Sequence, residues 1–104
     1  MKQLAFEMKL NAGQEFEYKK RHDEIWPELV TLLKTTGISE YSIYLNQETG
    51  SLFGVMKVAD ELALEKLPHD PIMQKWWAYM KDIMQTHPNN SPISIPLTNV
   101  FYLP

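Results

Sequence analysis

Leu4, Phe6, Met8 and Leu10 stand at every second position, with Glu7 and Lys9 among the residues between them. Side chains alternate between two faces only along an extended chain, so this stretch reads as a strand with one apolar and one wet face. Such a strand is not stable alone. It needs sheet neighbours beside it and a layer of structure over its apolar side, and the remaining sequence has to supply both.

The next stretch reads as helical, with Asn11 as N-cap and Gln14 as its capping-box partner, and with Phe16, Leu29, Val30, Leu32 and Leu33 as apolar positions. Pro27 interrupts it. Proline lacks a backbone donor, crowds the carbonyl of Asp23 and pushes Trp26 off helical angles, so a kink, or a break and restart, is expected between Asp23 and Trp26. Gly37 ends the element as a C-cap residue. Residues 41–45 and 52–58 read as a hairpin turning at Glu48-Thr49-Gly50. Asp60 can cap a short helix that Pro68 stops. Asp70-Pro71 then starts a helix expected to run to about Met84 and to carry Trp76 and Trp77. The stretch 87–92 is a loop by composition, and residues 97–103 read as a last strand with Pro96 at its start or on an edge.

The order is β-α-β-β-α-β with an extra short helix, the α+β arrangement called ferredoxin-like. It predicts one antiparallel sheet with helices on one face, formed by residues 1–104 as a single domain. The other sheet face needs cover. A second copy packing sheet on sheet would give it, so a homodimer, forming a dimeric α/β barrel, is expected.

Composition removes several functions. The formal net charge is −3, and the one basic run, Lys19-Lys20-Arg21, lies between Glu17 and Asp23-Glu24, which suits a solvated helix and gives no basic face for nucleic acid. Without cysteine there is neither a disulfide framework nor a thiolate nucleophile. Glu7 comes too early for a secretory signal and no apolar run is long enough to span a bilayer, so no membrane partner and a cytoplasmic location are expected. There is no Gly-rich phosphate loop and no Gly-x-Ser-x-Gly elbow. His69 and His87 sit beside prolines, and no histidine pair has metal-ligand spacing, so neither a metal nor another cofactor is expected.

Three groups of residues can carry chemistry. Tyr18 and His22 are four apart, which puts both on one helix face within reach of one small molecule. Imidazole gives and takes protons near neutral pH, and a phenol donates a hydrogen bond. The same spacing also fits an ordinary surface histidine. Trp76 and Trp77 lie about 100° apart on their helix, so one can face the core while the other flanks it or lines a cavity. Indole faces suit the C–H patches of a sugar, and they equally suit plain core packing. Tyr41 and Tyr44 point to opposite sheet faces, so only one of them faces the helices.

The segments 18–29 (Tyr-Lys-Lys-Arg-His-Asp-Glu-Ile-Trp-Pro-Glu-Leu), 41–45 (Tyr-Ser-Ile-Tyr-Leu), 76–80 (Trp-Trp-Ala-Tyr-Met), 90–94 (Asn-Ser-Pro-Ile-Ser) and 100–104 (Val-Phe-Tyr-Leu-Pro) together resemble the L-rhamnose mutarotase family across almost the whole chain. The resemblance implies a cofactor-free dimeric isomerase that interconverts the α and β anomers of L-rhamnose. It implies His22 as proton donor and Tyr18, Tyr41, Trp76 and Trp77 as substrate contacts. Where members of that family carry Asn-Pro-Asp before the Asn-Ser-Pro turn, this chain has His87-Pro88-Asn89, one acid fewer. Ring opening needs a proton delivered to the ring oxygen and one removed from the anomeric hydroxyl. The expectation is that His22, as imidazolium, delivers the first, while a second group or a water takes the other. Rival readings are a cofactor-free monooxygenase on the same architecture and a sugar-binding module without catalysis.

Overall fold

A computed structural model describes residues 1–104 and gives the order β1 (Lys2–Lys9), α1 (Glu15–Asp23), α2 (Pro27–Thr35), β2 (Ile38–Asn46), β3 (Ser51–Val58), α3 (Glu61–Lys66), α4 (Pro71–Met80) and β4 (Ile95–Pro96). The sheet order is β2-β3-β1-β4 with every pair antiparallel, which is the ferredoxin-like topology. The sheet is open, and its helices pack on one face.

Register explains which face is which. Leu4 pairs with Met56, Phe6 with Gly54 and Met8 with Leu52, so the alternating apolar set of β1 meets the apolar set of β3 on the helix side. There Leu29, Leu52, Val58 and Met80 are almost wholly removed from water. Each such side chain contributes about 1.5–3 kcal/mol relative to exposure. Gly54 is required by this packing. The Phe6 ring lies across it, and a Cβ there would come within 3.0 Å of the ring.

Pro27 produces a full break. Helix α1 stops at Asp23, Trp26 takes extended angles (φ −63°, ψ 133°) and Pro27 opens α2 at its first turn. Gly37 follows α2 with φ +97°, the left-handed conformation expected after a helix end. Asp60 and Asp70 cap as expected, their carboxylates accepting from Leu62 N–H and Ile72 N–H.

Three expectations need correction. Asn11 is not an N-cap: α1 starts four residues later, and the Asn11 amide donates instead to the carbonyl of Asp82. The last long helix ends at Met80, not Met84. Beyond it, Asn11 N–H donates to the Ile83 carbonyl and Gln85 N–H to the Lys9 carbonyl, so pairing with the end of β1 replaces further helix. The last strand is only Ile95–Pro96, on the sheet edge where a proline is tolerated. Leu97 N–H still donates to the Ala5 carbonyl, after which the chain leaves the sheet. Residues 98–104, the bulk of the expected strand, have no partner strand.

Candidate active site

Between the sheet and the helices lies a cavity of about 950 Å³. All five residues singled out from the sequence line it: Tyr18 and His22 from α1, Tyr41 from β2, and Trp76 and Trp77 from α4.

Helix α1 brings Tyr18 and His22 together as their spacing requires. Their ring centroids are 4.3 Å apart, tilted by 31°. The His22 ring also meets Trp76 edge-on, at 5.4 Å and 87°. Trp76 is buried, whereas Trp77 is half-buried and packs against the core. The pair therefore divides as helical geometry predicts, and both members reach the cavity.

Tyr41 reaches the helix side through a bulge. Pairing of β2 with β3 shifts between Ser39 and Ser42, and Glu40 takes φ +47°. The extra residue turns the Tyr41 ring under the helices, edge-on to Phe6 at 6.1 Å, while Tyr44 stays on the opposite face with 65% of its surface exposed. Glu40 itself pairs with Lys57 at 2.7 Å across the strand.

His22 Nδ1 lies 3.0 Å from the Tyr18 carbonyl. A carbonyl only accepts, so Nδ1 carries the hydrogen and Nε2 keeps its lone pair. Neither Nε2 nor the phenol oxygens of Tyr18 and Tyr41 has a hydrogen-bond partner in the chain, and no fully buried side-chain polar atom lacks one. All three atoms belong to residues that line the cavity.

Burial sets their protonation. It lowers the His22 pKa below the ordinary 6.5, and this outweighs the Tyr18 carbonyl and the charge of Asp23, which raise it. Burial pushes Tyr41 up to about 12, and it raises Tyr18 further, helped by the nearby Tyr41. At neutral pH the cavity holds a neutral imidazole and two protonated phenols.

His69 and His87 do not line the cavity, and no three His, Asp or Glu side chains group as metal ligands would. In the loop before β4, Asn89 Oδ1 accepts from the N–H and hydroxyl of Ser91. An aspartate would accept in the same way, so Asn89 keeps that turn without the charge. Ser91 and Ser94 line the cavity. Sequence reasoning missed Trp26, Arg21 and Tyr79, which pack behind Trp76 and His22. Tyr79 meets Trp76 three residues away on α4, but the contacts of Trp26 with Trp76 and of Arg21 with Tyr79 span 50 or more residues of chain and leave no local pattern, although three tryptophans in 104 residues was a hint of an aromatic cluster.

No helix is long and apolar enough to cross a membrane. A low-identity structural likeness, to a dimeric ferredoxin-like protein from an uncultured marine organism, supports the fold alone: TM-score 0.60, 16% identity, covering 97% of this chain and 96% of the other. A relative from Jannaschia sp. (strain CCS1), an L-rhamnose mutarotase, is 55% identical over 100% of both chains. The crystal structure of the L-rhamnose mutarotase FA22100 from Formosa agariphila superposes with TM-score 0.94 at 52% identity over 100% of both chains. The family model for L-rhamnose mutarotase matches residues 3–103, and the chain belongs to the L-rhamnose mutarotase family.

Proposed function

We propose that this chain is an isomerase that interconverts the α and β anomers of L-rhamnose by acid/base-catalysed ring opening and closure, working as a cytoplasmic homodimer. The observation that carries the chemistry is His22 Nε2, free of any partner in the chain, in an aromatic cavity that the phenols of Tyr18 and Tyr41 also line.

In this reading His22 enters the cycle as a base. Nε2 takes the proton of the C1 hydroxyl, the C1–O5 bond breaks with its electron pair moving to O5, and C1 becomes an aldehyde. The imidazolium so formed gives its proton to O5. Both oxygens hang on C1, so one imidazole reaches each in turn. Rotation about C1–C2 presents the other carbonyl face, and the same steps run backwards close the ring. Protons balance, and no electron is gained or lost. The phenols of Tyr18 and Tyr41 donate hydrogen bonds to sugar oxygens, above all where charge builds on O5. Trp76 and Trp77 grip the C–H patches and the methyl group. The Tyr18 carbonyl holds the ring in the tautomer the first step needs and stabilises the imidazolium.

Cavity size alone suits an oxygenase on this fold as well. Membership of the mutarotase family decides for anomer exchange.

The test is NMR exchange between the two anomeric signals of L-rhamnose. Wild-type protein is expected to accelerate exchange, and His22→Ala to lose on the order of 10²–10⁴-fold with its thermal midpoint intact. Exchange at the wild-type rate in a folded His22→Ala protein overturns the assignment. Saturable sugar binding without acceleration by the wild type would make the protein a binding module.

A further inference from the structure

Helix α1 carries both Tyr18 and His22, yet it is weakly anchored. It buries only Tyr18, and no side chain caps its first turn. Its rotation about its own axis, which aims His22, must be fixed by something else. We propose that Arg21, with Tyr79 and Trp26, is a positioning relay that clamps α1 to the end of α4 and holds His22 and Trp76 at their working angles. None of the three lines the cavity, so none touches the sugar.

The clamp is specific in geometry. Arg21 Nη1 donates to the Tyr79 carbonyl at 2.7 Å and to Asp82 Oδ1 at 2.9 Å, Nη2 donates to Asp82 Oδ2 at 3.2 Å, and Nε donates to Glu17 at 2.8 Å. The Tyr79 carbonyl is among the last of α4, where the helix leaves its acceptors free, so a guanidinium there also meets the negative helix end. A planar fork suits this set, and a lysine ammonium does not. The Arg21 side chain keeps only 11% of its surface in water while Asp82 keeps 63%, so the guanidinium is packed down at the surface and the carboxylate comes to it from the solvent side.

From Arg21 the contacts run inward through aromatic faces. Its guanidinium carbon lies 4.4 Å over the Tyr79 ring. Tyr79 stacks on Trp26 at 5.7 Å and 30°, and Trp26 meets Trp76 edge-on at 5.1 Å and 88°. Trp76 in turn meets His22 edge-on. Arg21 and His22 are neighbours on α1, about 100° apart, so seating Arg21 on α4 turns His22 into the cavity. Trp26 is available because Pro27 holds it in extended angles between two helices. The kinetic part of this proposal rests on the mutarotase reading, and the structural part does not.

The experiment compares Arg21→Met, Arg21→Lys, Tyr79→Ala and Tyr79→Phe with wild type, by NMR titration of the His22 ring and by anomer exchange. Ionisable groups sharing the cavity with His22 are Glu15, Tyr18, Lys19 and Asp23 on α1 and Tyr41 on β2, and all are unchanged in the four variants. Arg21→Met and Tyr79→Ala are expected to move the His22 midpoint up towards that of a solvated histidine. They should lower kcat on the order of ten- to a hundredfold with KM changed much less. Tyr79→Phe, which keeps the ring and the carbonyl, should match wild type in both. Folded Arg21→Met protein with the wild-type midpoint and kcat overturns the proposal. If Arg21→Met does not fold, Arg21→Lys decides by the same two readings. If wild type shows no anomer exchange, the functional reading fails while the titration still decides the relay.

Discussion

At His22, burial and a backbone carbonyl act on one ring in opposite directions, and burial wins. The sign has two consequences. The folded pKa lies below the ordinary 6.5, so between the two values the unfolded chain binds more protons. His22 thus leaves stability intact above about pH 6.5 and subtracts from it as pH falls through that window. For catalysis by a base, kcat/KM for anomer exchange should fall on the acid side with a midpoint below 6.5, the pH at which a solvated histidine would be half protonated. A midpoint at or above 6.5 in the pH–rate profile would contradict this. On the alkaline side Tyr41, pushed up to about 12, should keep its proton past pH 10. Tyr41→Phe is expected to lose on the order of tenfold or more in kcat, read by the same NMR exchange. The sequence carried much of this site. Spacing alone joined Tyr18 to His22, and alternation showed that Tyr41 and Tyr44 face opposite ways. Which of the two tyrosines turns inward depends on the bulge at Glu40, and nothing local marks a glutamate as the residue to take φ +47°. The tautomer of His22 depends on a carbonyl one turn back, invisible without coordinates.

Elements were readable where a short-range rule fixes them. Asp60 and Asp70-Pro71 start helices, Gly37 ends one and Gly50, at φ +78°, turns the hairpin, because each rule involves only neighbouring residues. Ends set by distant pairing were not readable. Helix α4 gives way beyond Met80 because residues 83–85 pair with the end of β1, and residues 98–104 stay out of the sheet although their composition suits a strand. Asn11 looked like a cap and serves as a tie to Asp82. The cap that does work supports the site directly, since α4 bears Trp76 and Trp77. Asp70→Ala removes the acceptor for Ile72 N–H and should cost about 1 kcal/mol. That corresponds to roughly 4–8 °C in the thermal midpoint for a domain of this size, measurable by calorimetry, while His22 and its partners are untouched. Gly54→Ala is a sharper test of packing. The new methyl group would push the Phe6 ring, which stands edge-on to Tyr41, so both stability and sugar affinity should fall, with about 1–3 kcal/mol lost from stability. Unchanged stability in Gly54→Ala would mean that Phe6 has room to move.

As a whole, one chain by itself is under-covered. Only 15 of 104 residues are buried, and the chain exposes 7221 Å², against about 6,100 Å² expected of a folded monomer of this size. The surplus has a location. On the sheet face away from the helices, Ala5 pairs with Val55 and Tyr44 with Phe53, with Ile95 and Leu97 beside them on the edge. Past that edge Val100, Phe101, Tyr102 and Leu103 stand largely in water. Lys9 and the Lys57–Glu40 pair stand at the ends of this strip, and one charge, Glu7, lies within it between Phe53 and Ile95. Two sheets meeting on this face would close the barrel that a single open sheet lacks. Lysine in the middle of the strip should therefore block association at little cost to the single chain, because it stays solvated there and would be buried unpaired only on pairing. The wild type is expected to sediment as a dimer and Val55→Lys as a monomer, with the dependence of the thermal midpoint on protein concentration lost in the variant. Tyr44→Lys should act in the same direction. A dimer persisting in both variants would put the interface elsewhere, with the exposed residues 100–103 the next surface to alter.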